Sequence, residues 1–304
     1  MTDVTQFGAA LAIVVVHFGP PERTLKAVAS CRGLDVGPGA IFVLDNSGNW
    51  ASAVTPEDKV IRPGRNLGYA GAVNRAAAVA SQRGFAHVWV LNNDVTVAPD
   101  ALTHFAMAFR EFPDADIVGS YVASGSRCYF GGGGFDWRWG RPSHQHAGAP
   151  VESLPVGGSE LTDWINGASM VFPVDAIVRR GELDENLFLY KEELEWQIRA
   201  PRAKAVLVKR FLVDHEGGAT TGSTAGILGA AFMARNALLI AGSQPARSRF
   251  AWTVEALRAN LLYPLLTRRF SRLRGALVGL SCVKCPPEHV FRRASSEIED
   301  HGKR

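Results

Sequence analysis

Apolar and polar positions in the first ninety residues come in blocks rather than singly. Residues 10–18, ALAIVVVHF, form an unbroken apolar, β-branched run, the pattern of a strand covered on both faces of a parallel sheet. In PPERTLKAVASC the paired prolines open a helix that turns Leu25, Val28 and Ala29 inward. A second strand, AIFVLDN (40–46), ends in Asp45-Asn46-Ser47-Gly48. An alanine-rich helix, NLGYAGAVNRAAAVASQRG, stops at Gly84 and leads to a third strand, HVWVLNND. This β-α-β-α-β order predicts an α/β fold: an open, mostly parallel twisted sheet with helices on both faces.

Beyond residue 100 the pattern loosens. CYFGGGGFDWRWGRPSHQHAG (128–148) combines four glycines with Trp137 and Trp139 at strand spacing. Ordering four glycines costs much backbone entropy, so a mobile hairpin is expected. DWINGASMVFPVDAI reads as a strand with a bend, and GELDENLFLYKEELEWQIRA as a turn leading into a helix from about Tyr190. After VLVKRFLVDHEGGATTGS the chain reads as helical. The expected division is a domain over 1–224 and a helical, basic C-terminal region over 225–304.

Composition and charge narrow the classes. With 304 residues, 47% of them hydrophobic, the chain can bury a substantial core. The longest apolar stretch, 225–242, is interrupted by Arg235 and Asn236, and the N-terminus shows no secretory leader pattern, so a cytoplasmic location is expected. From Ala241 to Arg304 there are 12 Lys and Arg against 5 Asp and Glu, a net +7 in a chain of +4. The densest part, RRFSRLR (268–274), lies between LLYPLL and GALVGL. Such a stretch suits peripheral contact with the anionic inner face of a membrane, or else a packed helix with its arginines in water. No nucleic-acid-binding motif accompanies it, which argues against nucleic acid as a partner. Cys282 and Cys285 make a lone C-x-x-C with no second pair, and reduced thiols are expected.

Ligands of open parallel sheets bind beyond the carboxyl ends of the strands. Three strands here end in polar groups: His17, Asp45-Asn46-Ser47, and Asn92-Asn93-Asp94. A carboxylate at the end of a buried strand is costly unless paired or coordinated, and Asp94 with Asn92 offers hard oxygens of the kind Mg²⁺ or Mn²⁺ takes beside phosphate. Asn and Asp are equally common in turns. Glu192, Glu193 and Glu195 crowd one helical turn, where repulsion needs a cation or a proton to offset it, so one of them is a candidate general base. His215 ends a further apolar strand.

Taken in order, VVVHFG, VLDNSG, NLGYAGAVNRA, VLNNDV, WINGASMVF, GELDENLFLYKEELEWQIR, DHEGGATTGS and FMARNALL resemble glycosyltransferase family 2 of the GT-A fold, in its bacterial rhamnosyltransferase-like branch. The resemblance spans about residues 10–279. It implies a GT-A sheet with a helical C-terminal extension, and a donor site including His17, Phe18, Asp45, Asn66, Gly68, Asn74, Asn92 and Asn93. Asp45 matches the aspartate that bonds the pyrimidine base. Asn92-Asn93-Asp94 stands where the family has Asp-X-Asp, with Asp94 the retained metal carboxylate, and His215 matches the metal- or diphosphate-binding histidine. Glu193 falls on the catalytic base position, with Glu192 the second candidate. Trp164, Asn166, Gly167, Ala168 and Trp196 are expected at the acceptor and sugar pocket.

The implied reaction is an inverting, Mg²⁺- or Mn²⁺-dependent transfer from a nucleotide sugar, first dTDP-rhamnose and then a UDP-hexose. The acceptor would be a glycan, a lipid-linked sugar or a small molecule, in cell-surface glycan synthesis. Three rivals stand against it. A nicotinamide oxidoreductase needs G-x-G-x-x-G after the first strand, and HFGPPERTL lacks it. A sugar nucleotidylyltransferase would carry a basic Gly-rich loop there. A catalytically inactive carbohydrate-binding protein on the same fold is the third.

Overall fold

The computed structural model describes residues 3–37, 39–50, 55–56, 59–216 and 223–302. The small-residue stretch 217–222, which follows His215, lies outside the described residues. Two compact units emerge: Met1–Gly134 with His144–Leu183 and Trp196–Gly217, and Phe135–Ser143 with Asp184–Glu195 and Gly218–Arg304. The expected boundary at 224 is thus too simple, because two earlier segments belong with the C-terminal helices. The side chains explain why. Phe135 packs on Trp252 with ring centroids 5.4 Å apart, and Arg235 and Asn236 hold the carbonyls of residues 186–190.

In the first unit, α1 (Asp3–Ala9) precedes β1 (Leu11–His17), α2 (Pro21–Cys31), β2 (Ile41–Asp45), β3 (Val60–Ile61), α3 (Gly68–Gln82), β4 (His87–Asn92), β5 (Val95–Val97), α4 (Ala101–Glu111), β6 (Ile117–Ser124) and β7 (Arg127–Phe130). A hairpin of β8 (Gly133–Asp136) and β9 (Arg141–His144) follows, most of it, Phe135–Ser143, assigned to the second unit. Then come β10 (Ser159–Thr162), β11 (Ser169–Pro173), α5 (Val174–Arg180), α6 (Glu192–Ile198), which begins in the other unit, and β12 (Ala205–His215). The main sheet runs β10-β12-β6-β11-β4-β1-β2-β3.

Its β3-β2-β1-β4 half is parallel, and β1 is buried at every position, as its unbroken apolar run requires. Beyond β4 the sheet turns mixed. The strand predicted from DWINGASMVFPVDAI enters as β11, antiparallel to both β4 and β6, and its continuation is a helix rather than more strand. Register places the polar strand ends side by side, with His17 opposite Asp45 and Val16 opposite Asn92.

The four-glycine run, expected to be mobile, is instead packed. A Cβ at Gly133 would collide with the carbonyl oxygen and indole of Trp164. Gly133 also exchanges hydrogen bonds with Thr162 Oγ1, each 2.9 Å. Glycine here permits close backbone approach, and those contacts offset its entropy.

The second unit gathers α7 (Ser223–Ser243), α8 (Ala246–Leu257), a π-helical turn over Arg258–Leu262, α9 (Tyr263–Leu266), α10 (Phe270–Ser281) and α11 (Pro287–Gly302). Phe188, Ile227, Ala231, Phe232, Val278 and Val290 form its core. Gly275 and Gly279 let α10 lie against the α7 backbone, since a Cβ at either would strike the carbonyl of Ile227 or Ala231. By length and composition Gly226–Ser243 is apolar enough to cross a membrane. Its two interrupting residues, Arg235 and Asn236, are nonetheless buried and bonded within this unit.

Candidate active site

The chemistry at the sheet edge begins with a pairing that no local window contains. The three-residue β5, directly after Asn92-Asn93-Asp94, runs antiparallel to β12 with Val95 opposite His215. Glu216 N donates to Asp94 O at 2.9 Å. Asp94 and His215 thereby meet, His215 Nε2 lying 3.1 Å from Asp94 Oδ1, and both side chains are buried. Burial opposes ionisation of Asp94. The hydrogen bond and charge of His215, aided by a backbone hydrogen bond and the Arg23 charge, outweigh it and hold the carboxyl below the usual carboxylate range. Tyr129 stands edge-on to His215, with centroids 4.9 Å apart, while His215 Nδ1 is buried with no hydrogen-bond partner among the described residues.

This pair fits a divalent cation. Adjacent ligands of an octahedral ion with bonds of about 2.1 Å lie about 3 Å apart, close to the separation seen. An imidazole beside a carboxylate suits Mn²⁺ somewhat better than the all-oxygen preference of Mg²⁺.

Around it the predicted donor-site residues tie the loops together. His17 is fully buried, its Nδ1 2.6 Å from Thr24 Oγ1 and its Nε2 2.8 Å from Asn49 Oδ1. Both nitrogens are therefore engaged, whereas Phe18 is exposed. Asn93 donates to Phe18 O and to Thr24 Oγ1. Asp45 accepts from Gly48 N, Trp50 N and the Arg62 guanidinium, which anchors the loop that follows β2. Asn46 bridges Leu67 N and Gly68 O, and Asn66 caps Gly68 N at the start of α3, where Gly68 has a φ of +69°. Asn92 N donates to Ala168 O, bringing the WINGAS segment to the same strand end. There Asn166 accepts from Ala168 N and Tyr69 donates to Gly167 O.

Three expected site residues are placed otherwise. Asn74 is buried, and its amide both donates to and accepts from the backbone of Leu183, so it fixes a chain crossing rather than facing a ligand. Trp164 and Trp196 are 3% and 2% exposed. Their indole nitrogens donate to Gly134 O and Gly181 O, and the Arg180 guanidinium lies 4.8 Å over Trp196, so neither ring offers a face to a sugar. Large aromatic area makes core packing their lower free-energy use.

The acidic turn belongs to the second unit. Phe188, Tyr190 and Lys191 take positive φ of 60°, 66° and 71° immediately before α6. Non-glycine residues there are strained, and such strain persists only when surrounding structure over-determines it. Asn236 Nδ2 supplies that restraint, lying 2.7, 2.9 and 2.8 Å from the carbonyls of Leu187, Leu189 and Tyr190. Arg235 Nη1 adds a 2.6 Å bond to Asn186 O. Only the polar interruption of an apolar helix hinted at these two residues, since buried polar groups require partners. Glu192 is 2% exposed, and burial first, then the adjacent Glu193 charge, push its carboxyl well above the usual range. Lys191 is pushed down by burial, with Glu193 and Glu255 pulling the other way.

Comparison with known proteins bears on the family and the fold. The family described as Glycosyl transferase family 2 matches residues 13–160. The N-acetylglucosaminyl-diphospho-decaprenol L-rhamnosyltransferase of Mycobacterium tuberculosis (strain ATCC 25618 / H37Rv) is 26% identical, over 91% of this chain and 99% of that one. Among solved structures, the mannosyltransferase PcManGT from Pyrobaculum calidifontis in complex with GDP-Man and Mn²⁺ superposes with a TM-score of 0.54 at 12% identity, covering 96% of this chain and 81% of that one. GalNAc-T7 with UDP, GalNAc and Mn²⁺ gives 0.51 at 14% identity; 85% of this chain is covered, and it spans 57% of that longer one. Residues 13–160 thus match glycosyl transferase family 2, and the chain has the GT-A fold and is similar along most of its length to a bacterial L-rhamnosyltransferase.

Proposed function

We propose that the protein transfers L-rhamnose from a dTDP donor to a hydroxyl of a lipid-diphosphate-linked sugar, by direct displacement with inversion. The observation that carries the reading is the buried Asp94–His215 pair at the carboxyl edge of the parallel strands, 3.1 Å apart. A full-length relative acting as an L-rhamnosyltransferase on a decaprenol-diphosphate sugar supports the donor sugar and the acceptor class. Support for a lipid-borne acceptor also comes from the second unit. Leu265, Leu266, Phe270 and Leu277 are exposed among Arg268, Arg269, Arg272 and Arg274, an apolar and cationic surface suited to an anionic membrane.

In this mechanism Asp94 and His215 would hold a divalent cation, which would supply positive charge to offset that of the departing diphosphate. Asn93, Asp45 and Asn46 keep the surrounding loops in place for the nucleotide. Glu193 takes the acceptor's proton as its oxygen attacks the anomeric carbon. Glu192 is the weaker candidate, because a buried carboxyl that retains its proton cannot accept another. A Glu193→Gln chain should lose about 10²–10⁴-fold in turnover while still binding the nucleotide in a thermal-shift assay. Asp94→Asn should instead lose the Mn²⁺-dependent part of that nucleotide binding. Undiminished transfer by Glu193→Gln would refute its role as base. Turnover of UDP-hexoses but not dTDP-rhamnose would refute the donor.

A further inference from the structure

Where α10 gives way to α11, Cys282, Cys285 and His289 come together. Their two sulfurs and one imidazole nitrogen all lie within 4.8 Å of one another. The third donor sits four positions past Cys285, in the first turn of α11, and a search for a second C-x-x-C passes over it. The backbone is folded to present all three. Cys285 N donates to Cys282 O at 2.9 Å and His289 N to Pro286 O at 3.0 Å. From α7, Arg235 pins both ends of the Cys-Val-Lys-Cys turn, its Nε to Cys282 O at 3.3 Å and its Nη2 to Cys285 O at 2.8 Å. Arg293 Nη1 donates to Cys282 Sγ at 3.4 Å, the kind of outer hydrogen bond that metal-bound thiolates accept. Cys285 also borders an open hollow of about 500 Å³, and His289 is exposed, so an ion has a route in.

We propose that Cys282, Cys285 and His289 bind Zn²⁺, with one solvent molecule as the fourth ligand. Two thiolates and an imidazole are a donor set for zinc, not for the Mg²⁺ or Mn²⁺ assigned to Asp94 and His215. Tetrahedral zinc with bonds of about 2.0–2.3 Å wants donors about 3.5–3.8 Å apart. The required contraction of about 1 Å is within reach of the exposed His289 side chain. Each thiol yields its proton to solvent on binding. Zinc with two thiolates is then neutral, so no net charge is added beside Arg235 and Arg293. The ion would staple the junction of α10 and α11 to the turn that Arg235 holds.

The test uses the full chain, reduced and stripped of metal, titrated with Co²⁺ in place of Zn²⁺. One equivalent should raise the visible bands of four-coordinate cobalt with a near-ultraviolet thiolate-to-cobalt band, and Zn²⁺ should abolish both. Asp94 and His215 carry no sulfur and cannot produce that thiolate signal. Cys285→Ser and His289→Ala sit at accessible positions. Each should weaken cobalt binding by more than about tenfold, the loss that even an outer-shell partner can cause, with the metal-free urea midpoint unchanged. A flat titration overturns the proposal, as does a thiolate band of full strength in Cys285→Ser. A Cys282–Cys285 disulfide formed in glutathione buffer with no metal taken up overturns it in favour of a redox pair.

Discussion

Replacing Asn236 by Ala tests whether one amide holds the strained entry to α6. Its Nδ2 serves the carbonyls of Leu187, Leu189 and Tyr190, and the side chain is fully buried. An amide has two N–H groups, so two full hydrogen bonds are lost and the acceptors stay behind, at about 1–3 kcal/mol each. The gross cost is then about 2–6 kcal/mol. Relaxation of one of Phe188, Tyr190 and Lys191 out of positive φ returns about 1 kcal/mol, which leaves a net loss of about 1–5 kcal/mol. With a urea slope of about 2 kcal/mol/M, the midpoint of the second unit should fall by about 0.5–2.5 M. Hydrogen exchange localises the effect. Leu189 N, bonded to Leu187 O, and Glu195 N, bonded to Lys191 O, should exchange faster, while β1 in the first unit should not change. A midpoint shift below about 0.5 M together with unaltered exchange over residues 188–195 would refute the reasoning.

Further outcomes follow from neighbouring groups. Because the folded state raises the Glu192 carboxyl, its contribution is full below the ordinary carboxylate value and declines as pH rises toward the folded one. Glu192→Gln, which cannot titrate, should therefore match the parent near pH 4 and melt progressively higher toward pH 8; a difference independent of pH would contradict this. Replacing Arg268, Arg269, Arg272 and Arg274 by Ser should abolish sedimentation with anionic vesicles at low salt while leaving the melting temperature within about 2 °C, since exposed arginines contribute little to folding. Unchanged sedimentation would remove the membrane argument. Gly133→Ala should destabilise the first unit by about 1–3 kcal/mol through the clash with Trp164, read from urea unfolding; an unchanged midpoint would show that the hairpin yields freely.

The parallel half of the sheet was legible in the sequence because its cause is local. A β-branched run such as 10–18 must be buried on both faces, and helices of crossover length between such runs force successive strands to point the same way. That alone put His17, Asp45 and Asn92 on one edge. Tertiary structure decided what meets there. The pairing of β5 with β12 joins Asp94 to His215, and a three-residue strand inside a turn is too short for any periodicity to announce. Trp164 and Trp196 looked like binding aromatics because composition does not say which way a side chain turns, and core packing turned them inward. The positive φ of Phe188, Tyr190 and Lys191 runs against local preference, and it holds only because Asn236, far along the chain, supplies the bonds. Local pattern governs period and burial, so it reaches strands, helices and their ends. Which polar groups find each other depends on register and long-range closure, which are settled by the sum of contacts across the folded chain.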